Sequence, residues 1–92
     1  MASWPSKDPN DVLDYDIDWS RRLDSGDTIS TSTFSLTTDA GLTIASQSNT
    51  TTTSKVWLSG GTAGSTADIL CRIVTADGRT MDQSVSLPIA SR

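Results

Sequence analysis

Three aspartates alternate with apolar residues in the segment DVLDYDIDW, residues 11–19. Successive side chains of an extended strand point to opposite sides, so Asp14, Asp16 and Asp18 share one side. The other side carries the apolar members of the segment, which are Leu13, Tyr15, Ile17 and Trp19. Aligned carboxylates can bind a metal ion, exchange protons with a substrate, contact a partner protein or face water.

The spacing of these aspartates argues against a metal site. The run D-x-D-x-D from Asp14 resembles the start of an EF-hand loop, which requires Gly at its sixth position and Glu at its twelfth. Trp19 and Ser25 occupy those positions. Same-side residues of a strand lie about 6.5–7 Å apart, so three in a line cannot surround one ion unaided. We predict no metal and no cofactor, while a calcium ion shared with loop aspartates and a merely solvated strand face stay open as alternatives.

Catalytic groups are scarce. The chain has no His, so neither a Ser-His-Asp nor a Cys-His arrangement can be built. Cys71, the one cysteine, lies on the apolar side of a predicted strand, where a buried thiol is inert. The loop SGGTAGS, residues 59–65, lacks the Lys of a phosphate-binding loop. We predict that the chain is not an enzyme.

Net charge excludes two classes of partner. Nucleic-acid binding needs a positive footprint, but the net charge is −4 and only Arg21 and Arg22 are adjacent cations. The same shortage disfavours anionic membranes, and no stretch approaches the ~20 apolar residues of a membrane span. We therefore expect no nucleic acid and no membrane as partners. The N-terminal residues lack the pattern of a secretory signal, so we expect synthesis in the cytoplasm of the producing cell.

Composition and periodicity indicate an all-β fold. Ser and Thr make up roughly a third of the 92 residues, and all 11 acidic residues are Asp. Thr favours strands and Asp favours turns. Turn signals recur about every 8–12 residues, which predicts an immunoglobulin-like β-sandwich of about seven short strands over residues 11–92. Residues 1–10 are predicted to form an extended N-terminal arm, because Pro5 and Pro9 disfavour regular pairing.

Two local features of the strands can be predicted as well. The apolar phase slips between Ile29 and Phe34, which indicates a β-bulge or a change of sheet at that point. Asp77-Gly78 predicts a hairpin that is closed by a type I′ turn.

Some large apolar side chains are hard to place in a core. Trp4 lies in the polar arm, and Trp57 is out of phase with Val56 and Leu58. Exposed apolar groups mark protein interfaces when they cluster, although the arm or the second sheet could equally cover them. We predict a partner interface that consists of Trp4, Asp14, Asp16, Asp18, Trp19, Arg21, Arg22 and Trp57.

Four segments resemble, in order, a family of small proteins from tailed bacteriophages, the phage fiber-tail adaptor proteins. The segments are KDPNDVLDYDIDWSRRL (7–23), DTISTSTFSL (27–36), VWLSGGTAGS (56–65) and CRIVTADGRT (71–80). The likeness extends from about Lys7 to Leu87.

The resemblance implies an immunoglobulin-like virion structural protein that helps to join fibres to the tail or baseplate. Its implied partners are other phage tail, baseplate or fibre proteins, with many copies arranged around a symmetry axis. Its implied location is the phage tail, after synthesis in the bacterial host cytoplasm. A head decoration or neck protein is the nearest alternative, and a calcium-dependent carbohydrate-binding or adhesin-like module is an alternative of another class.

Overall fold

The computed structural model describes residues 2–91 and contains strands only. These are β1 (Ala2–Ser3), β2 (Leu13–Asp18), β3 (Ile29–Thr38), β4 (Leu42–Asn49), β5 (Thr53–Gly60), β6 (Thr66–Thr75) and β7 (Thr80–Pro88). The sandwich has six strands of six to ten residues rather than about seven, and β1 is a two-residue strand of the arm. A helix able to cross a membrane does not occur in the described part of the chain.

The strands form two sheets whose order is that of an immunoglobulin domain. One sheet has the order β1-β7-β6-β3 and the other has the order β2-β5-β4. The strands β2-β5-β4 correspond to B-E-D, and β7-β6-β3 correspond to G-F-C. All pairings are antiparallel except that of β1 with β7. The predicted all-β, immunoglobulin-like fold is confirmed.

The core consists of the inward-facing residues of the two sheets. Val56 and Leu58 of β5 and Ile69 and Ile73 of β6 belong to this core, and all four are fully buried. Burial of each such side chain favours folding by roughly 1.5–3 kcal/mol. Tyr15 of β2 and Trp19, the residue that follows β2, are both buried, as the alternation of the segment predicts. The sequence pattern therefore places the correct side of each of these strands inside.

A short line of hydrogen bonds joins the two sheets through this core. The Trp19 indole N–H donates to Ser54 Oγ at 3.0 Å, and Ser32 Oγ lies 2.8 Å from Ser54 Oγ. Ser54 belongs to β5 and Ser32 to β3, so the second bond crosses from one sheet to the other. The bonds satisfy polar groups that would be costly to bury alone.

The two local predictions have different outcomes. The register of β3 against β6 shifts between Ile29 and Thr31, which confirms the bulge. β6 and β7 do form a hairpin around Asp77-Gly78, but the type I′ turn is wrong. At the ends of the two strands the Thr75 amide donates to the Arg79 carbonyl at 2.8 Å, which leaves a loop of three residues, 76–78. In this loop φ is positive at Gly78 (87°) and not at Asp77. Glycine in this conformation is usual at the end of a three-residue hairpin loop.

The N-terminal arm lies along β7. Residues 2 and 3 pair in parallel with Val85 and Ser86, and Lys7 forms a further parallel bridge with Ile89. The Lys7 side chain is fully buried, and its ammonium group donates to the Asp8 carbonyl at 2.8 Å and the Gly60 carbonyl at 2.6 Å. Gly60 ends β5, so Lys7 fixes the arm to both sheets.

Asp27 ties the loop after β2 to the β6–β7 hairpin. Its buried carboxylate accepts hydrogen bonds from the Thr28 amide at 2.9 Å, the Asp77 amide at 3.1 Å and the Arg79 guanidinium at 3.2 Å. Burial by itself would raise the pKa of Asp27, but these donors and the Thr75 hydroxyl outweigh it and hold the pKa below its usual value.

Asp27→Asn should therefore destabilise the fold in a pH-dependent manner. Because the pKa of Asp27 is below the unfolded value of 3.8, its ionised form stabilises the fold above that pH and loses this effect as the pH falls through the folded value. We expect a lower Tm at pH 7 and a gap to wild type that narrows below about pH 4. Thermal melts across pH 2.5–7 measure it, with Asp16→Asn as the exposed control; a pH-independent gap would contradict the assignment.

A tight turn connects β3 to β4 where the chain changes sheets. Ala40 and Gly41 both have positive φ, 48° and 82°, and the Leu42 amide donates to the Asp39 carbonyl at 2.7 Å. A Cβ on Gly41 would lie 2.8 Å from Thr62 Oγ1, whereas a Cβ on Gly78 would meet nothing within 4 Å.

Gly41→Ala should cost more stability than Gly78→Ala. Both substitutions place a side chain at positive φ, which costs about 1–2 kcal/mol. Only Gly41→Ala adds a contact with the neighbouring loop, so its loss of unfolding free energy should be the larger of the two. Urea unfolding of both variants measures the difference, and equal losses would show that the loop moves away freely.

Candidate protein-binding face

The exposed side of the β2-β5-β4 sheet carries four of the eight predicted interface residues, which are Asp14, Asp16, Asp18 and Trp57. Asp14 lies opposite Trp57 and Asp16 lies opposite Lys55 in the register of β2 with β5. β4 adds small polar residues to this side, because Ser46 lies opposite Trp57. We call this surface the outer face and define it by Val12, Asp14, Asp16, Asp18, Lys55 and Trp57.

The three aspartates of the outer face have different surroundings. Asp14 forms an ion pair of 3.4 Å with Lys55, and both side chains are 41% exposed. The backbone amide of Ser20 donates to the Asp18 carboxylate at 2.9 Å and lowers the pKa of Asp18, as does the nearby Arg21 more weakly. The Asp16 side chain is exposed, and its carboxylate has no hydrogen bond or ion pair with any residue that the structure describes. The uncompensated charge of the face is therefore at Asp16.

The outer face also carries the two large apolar residues that are most exposed in the described chain. Trp57 is 39% exposed and Val12 is 57% exposed. Val12 precedes β2 and extends the even-numbered side that carries the aspartates. Sequence reasoning missed Val12, although continuing the period of two by one position upstream of Asp14 would have found it.

The remaining predicted interface residues lie elsewhere. Trp19 is fully buried, so its side chain is not available to a partner. The Arg22 guanidinium carbon lies 4.9 Å from the centre of the Trp19 ring, and Arg22 donates to the Asp82 carbonyl at 3.0 Å. Arg21 is exposed in the turn after β2. The structure thus places Arg22 over the core and toward β7, away from the outer face.

Trp4 closes the side of the sandwich. Its ring stacks on Tyr15 with 4.7 Å between ring centres and 21° between ring planes, and its amide donates to the Ser86 carbonyl at 3.0 Å. Tyr15 belongs to β2 and Ser86 to β7, so Trp4 bridges the edges of both sheets. Of the two explanations for this residue, the structure shows docking on its own domain.

The outer face is an open surface that combines an exposed aromatic ring with carboxylates. Within the described residues, no three Asp, Cys or His side chains lie together in a way that could hold a metal ion, and no pocket opens on the surface. An open, gently pleated face with an exposed Trp and carboxylates can recognise another macromolecule by area and charge.

Substitution of two tryptophans tests which of them belongs to the outer face and which to the core. Trp57→Ala should change the free energy of unfolding by about 1 kcal/mol or less, because the ring is 39% exposed and lies on the outer side of the sheet, where it contributes cross-strand contacts and not core packing. Trp19→Ala removes a fully buried ring and its bond to Ser54, and should cost about 3–5 kcal/mol. Chemical denaturation of both variants measures this, and a comparable loss for Trp57→Ala would assign that residue to the core.

Comparison with known proteins identifies the chain's relatives. The sequence profile of the family described as podophage GP4 fiber-tail adaptor protein gp77 matches residues 7–88. No curated protein sequence matches the chain. The matched region begins at the buried Lys7, ends with β7, and includes every strand of the sandwich. The chain belongs to the podophage fiber-tail adaptor protein family.

Proposed function

We propose that the protein is a non-enzymatic structural component of a phage virion, which joins tail fibres to the tail or baseplate through protein–protein contacts. Membership of the fiber-tail adaptor family supports the class of function and the location in the tail. The observation that supports a particular surface is the outer face. It combines the most exposed Trp and Val with three carboxylates and has no pocket within the described residues.

The proposal assigns different tasks to the two groups of predicted interface residues. Asp14, Asp16, Asp18 and Trp57 contact the partner, because they share one exposed surface. Trp4 and Trp19 hold β2 in place from the inside, through the stack on Tyr15 and the bond to Ser54. Arg21, at the end of the face, is a peripheral contact. Several copies around the tail axis would present this face repeatedly, after synthesis in the host cytoplasm.

The test uses phage particles that lack the protein. We expect the purified chain to co-sediment with these tails and to restore the attachment of fibres, both followed by quantitative gel analysis and negative-stain microscopy. Binding to heads instead of tails would move the protein to a decoration or neck role. A chain that binds neither tails nor fibres would contradict the proposal.

A Trp4→Ala variant distinguishes the tasks proposed for the arm and the face. The variant should have a lower Tm, because it loses the stack on Tyr15, but its occupancy on tails at 20 °C should equal that of wild type. Trp57→Ala should show the reverse, with wild-type stability and reduced occupancy. Equal loss of occupancy in both variants would make the arm itself a contact.

A further inference from the structure

The occupant of the outer face can be inferred from how its charges are arranged. Three aspartates and one lysine give the outer face a net charge of −2. Lys55 lies opposite Asp16 but forms its ion pair with Asp14, and Arg21 is near Asp18. Asp16 thus remains without a described partner at the centre of the line. The group that can compensate the charge of Asp16 is therefore a cation that a partner supplies.

The position of Trp57 favours a guanidinium group over an ammonium group as that cation. Asp14 is directly across from Trp57, so Asp16 is its diagonal neighbour on the adjacent strand. Such residues lie roughly 7–8 Å apart, which long side chains can span. A guanidinium group can stack on an aromatic ring and bind a carboxylate through its planar fork, whereas an ammonium group acts as a point charge.

The protein already contains one arrangement of this kind. The Arg22 guanidinium lies over Trp19 at 4.9 Å and donates to the Asp82 carbonyl and to Gln83 Oε1. Trp57 and Asp16 offer the aromatic and the acceptor of the same arrangement, but the described chain supplies no arginine to them. Val12, farther along the same side, offers an apolar contact to a residue that flanks the incoming arginine.

We propose that the outer face docks a basic segment of a neighbouring tail or fibre protein, with an arginine that stacks on Trp57 and pairs with Asp16. This inference deepens the proposed function and rests on it. A second copy that presents the same face is disfavoured, because aspartates would then meet aspartates.

Binding to tails and to purified fibre protein is measured with paired variants. Asp16→Asn and Trp57→Ala should each weaken the binding by at least about tenfold. Trp57→Phe, which keeps an aromatic ring, should retain more affinity than Trp57→Leu. The matched controls are Asp68→Asn and Leu70→Ala on the exposed side of the other sheet, which should bind within about twofold of wild type.

Removal of Lys55, the cation that the chain itself places on the outer face, should strengthen binding where the variants above weaken it. Lys55→Met frees Asp14 and makes the face more negative, so binding should become a few-fold stronger at low salt. The stability of this variant should stay close to wild type, because an exposed ion pair contributes only about 0–1 kcal/mol. Wild-type binding should weaken as salt rises, since the contact is partly electrostatic. Weaker binding by Lys55→Met would overturn the charge argument.

Chemical modification of the partner tests for arginine. Tails and fibre protein treated with phenylglyoxal, which blocks arginine, should bind wild type no better than Asp16→Asn. Acetylation, which blocks lysine, should leave the difference between the two chains intact. If acetylation alone removes that difference, the cation is lysine and the arginine assignment fails.

The outcomes separate the inference from the proposed function. If wild type binds tails or fibres and the Asp16 and Trp57 variants bind equally well, this inference is wrong and the adaptor function stands. If wild type binds neither, the proposed function itself fails. Light scattering on the isolated chain gives the remaining outcome, because a dimer that Asp16→Asn strengthens would make a second copy the occupant.

Discussion

The register of β2 against β5 decides which side chains enter the core and which form the outer face. Because the side-chain period of a strand is two, a slip of one residue would bury the aspartates and expose Tyr15 and Ile17. The register is held at its end by Trp19, whose amide donates to the Thr52 carbonyl at 2.8 Å and whose indole donates to Ser54 Oγ at 3.0 Å. One buried side chain thereby determines both the inner surface of this sheet and the composition of the outer face.

The link between the sheets differs from that of antibody domains, in which a disulfide joins strands B and F beside a buried Trp. Here Cys71 lies on β6, the counterpart of strand F, and is the sole cysteine of the chain. Its sulfur is 3.7 Å from Ser32 Oγ, at the end of the hydrogen-bonded line that reaches Trp19 through Ser54. Burial raises the pKa of the Cys71 thiol and keeps it protonated. The cross-sheet connection is therefore polar and independent of redox conditions.

The N-terminal arm covers one side of the sandwich and contacts both sheets there. Trp4 covers Tyr15, and Lys7 places an ammonium group against two carbonyls where β5 ends. Burial lowers the pKa of Lys7, while the nearby Asp11 and Asp8 partly offset this effect. Because these anchors lie on the side and end of the sandwich, the outer face of the β2-β5-β4 sheet remains free.

Sequence patterns were sufficient to predict the all-β fold, the inward side of β2, β5 and β6, the bulge in β3 and the line of aspartates, because alternation and turn residues are local properties. The alternation put Trp19 on the apolar side of the segment and Trp57 out of phase with its neighbours, but it did not remove Trp19 from the predicted interface, since whether a ring is fully buried depends on what the other sheet places above it. It also could not show that Lys55 pairs with Asp14 and leaves Asp16 free, or that Lys7 is buried against the end of β5.

The turn at Gly78 was misread because a glycine after an aspartate fits loops of two or three residues, and only the pairing of β6 with β7 decides between them. Which carboxylates of the outer face have a cation beside them depends on tertiary structure, because partners on different strands meet only after the sheets have formed.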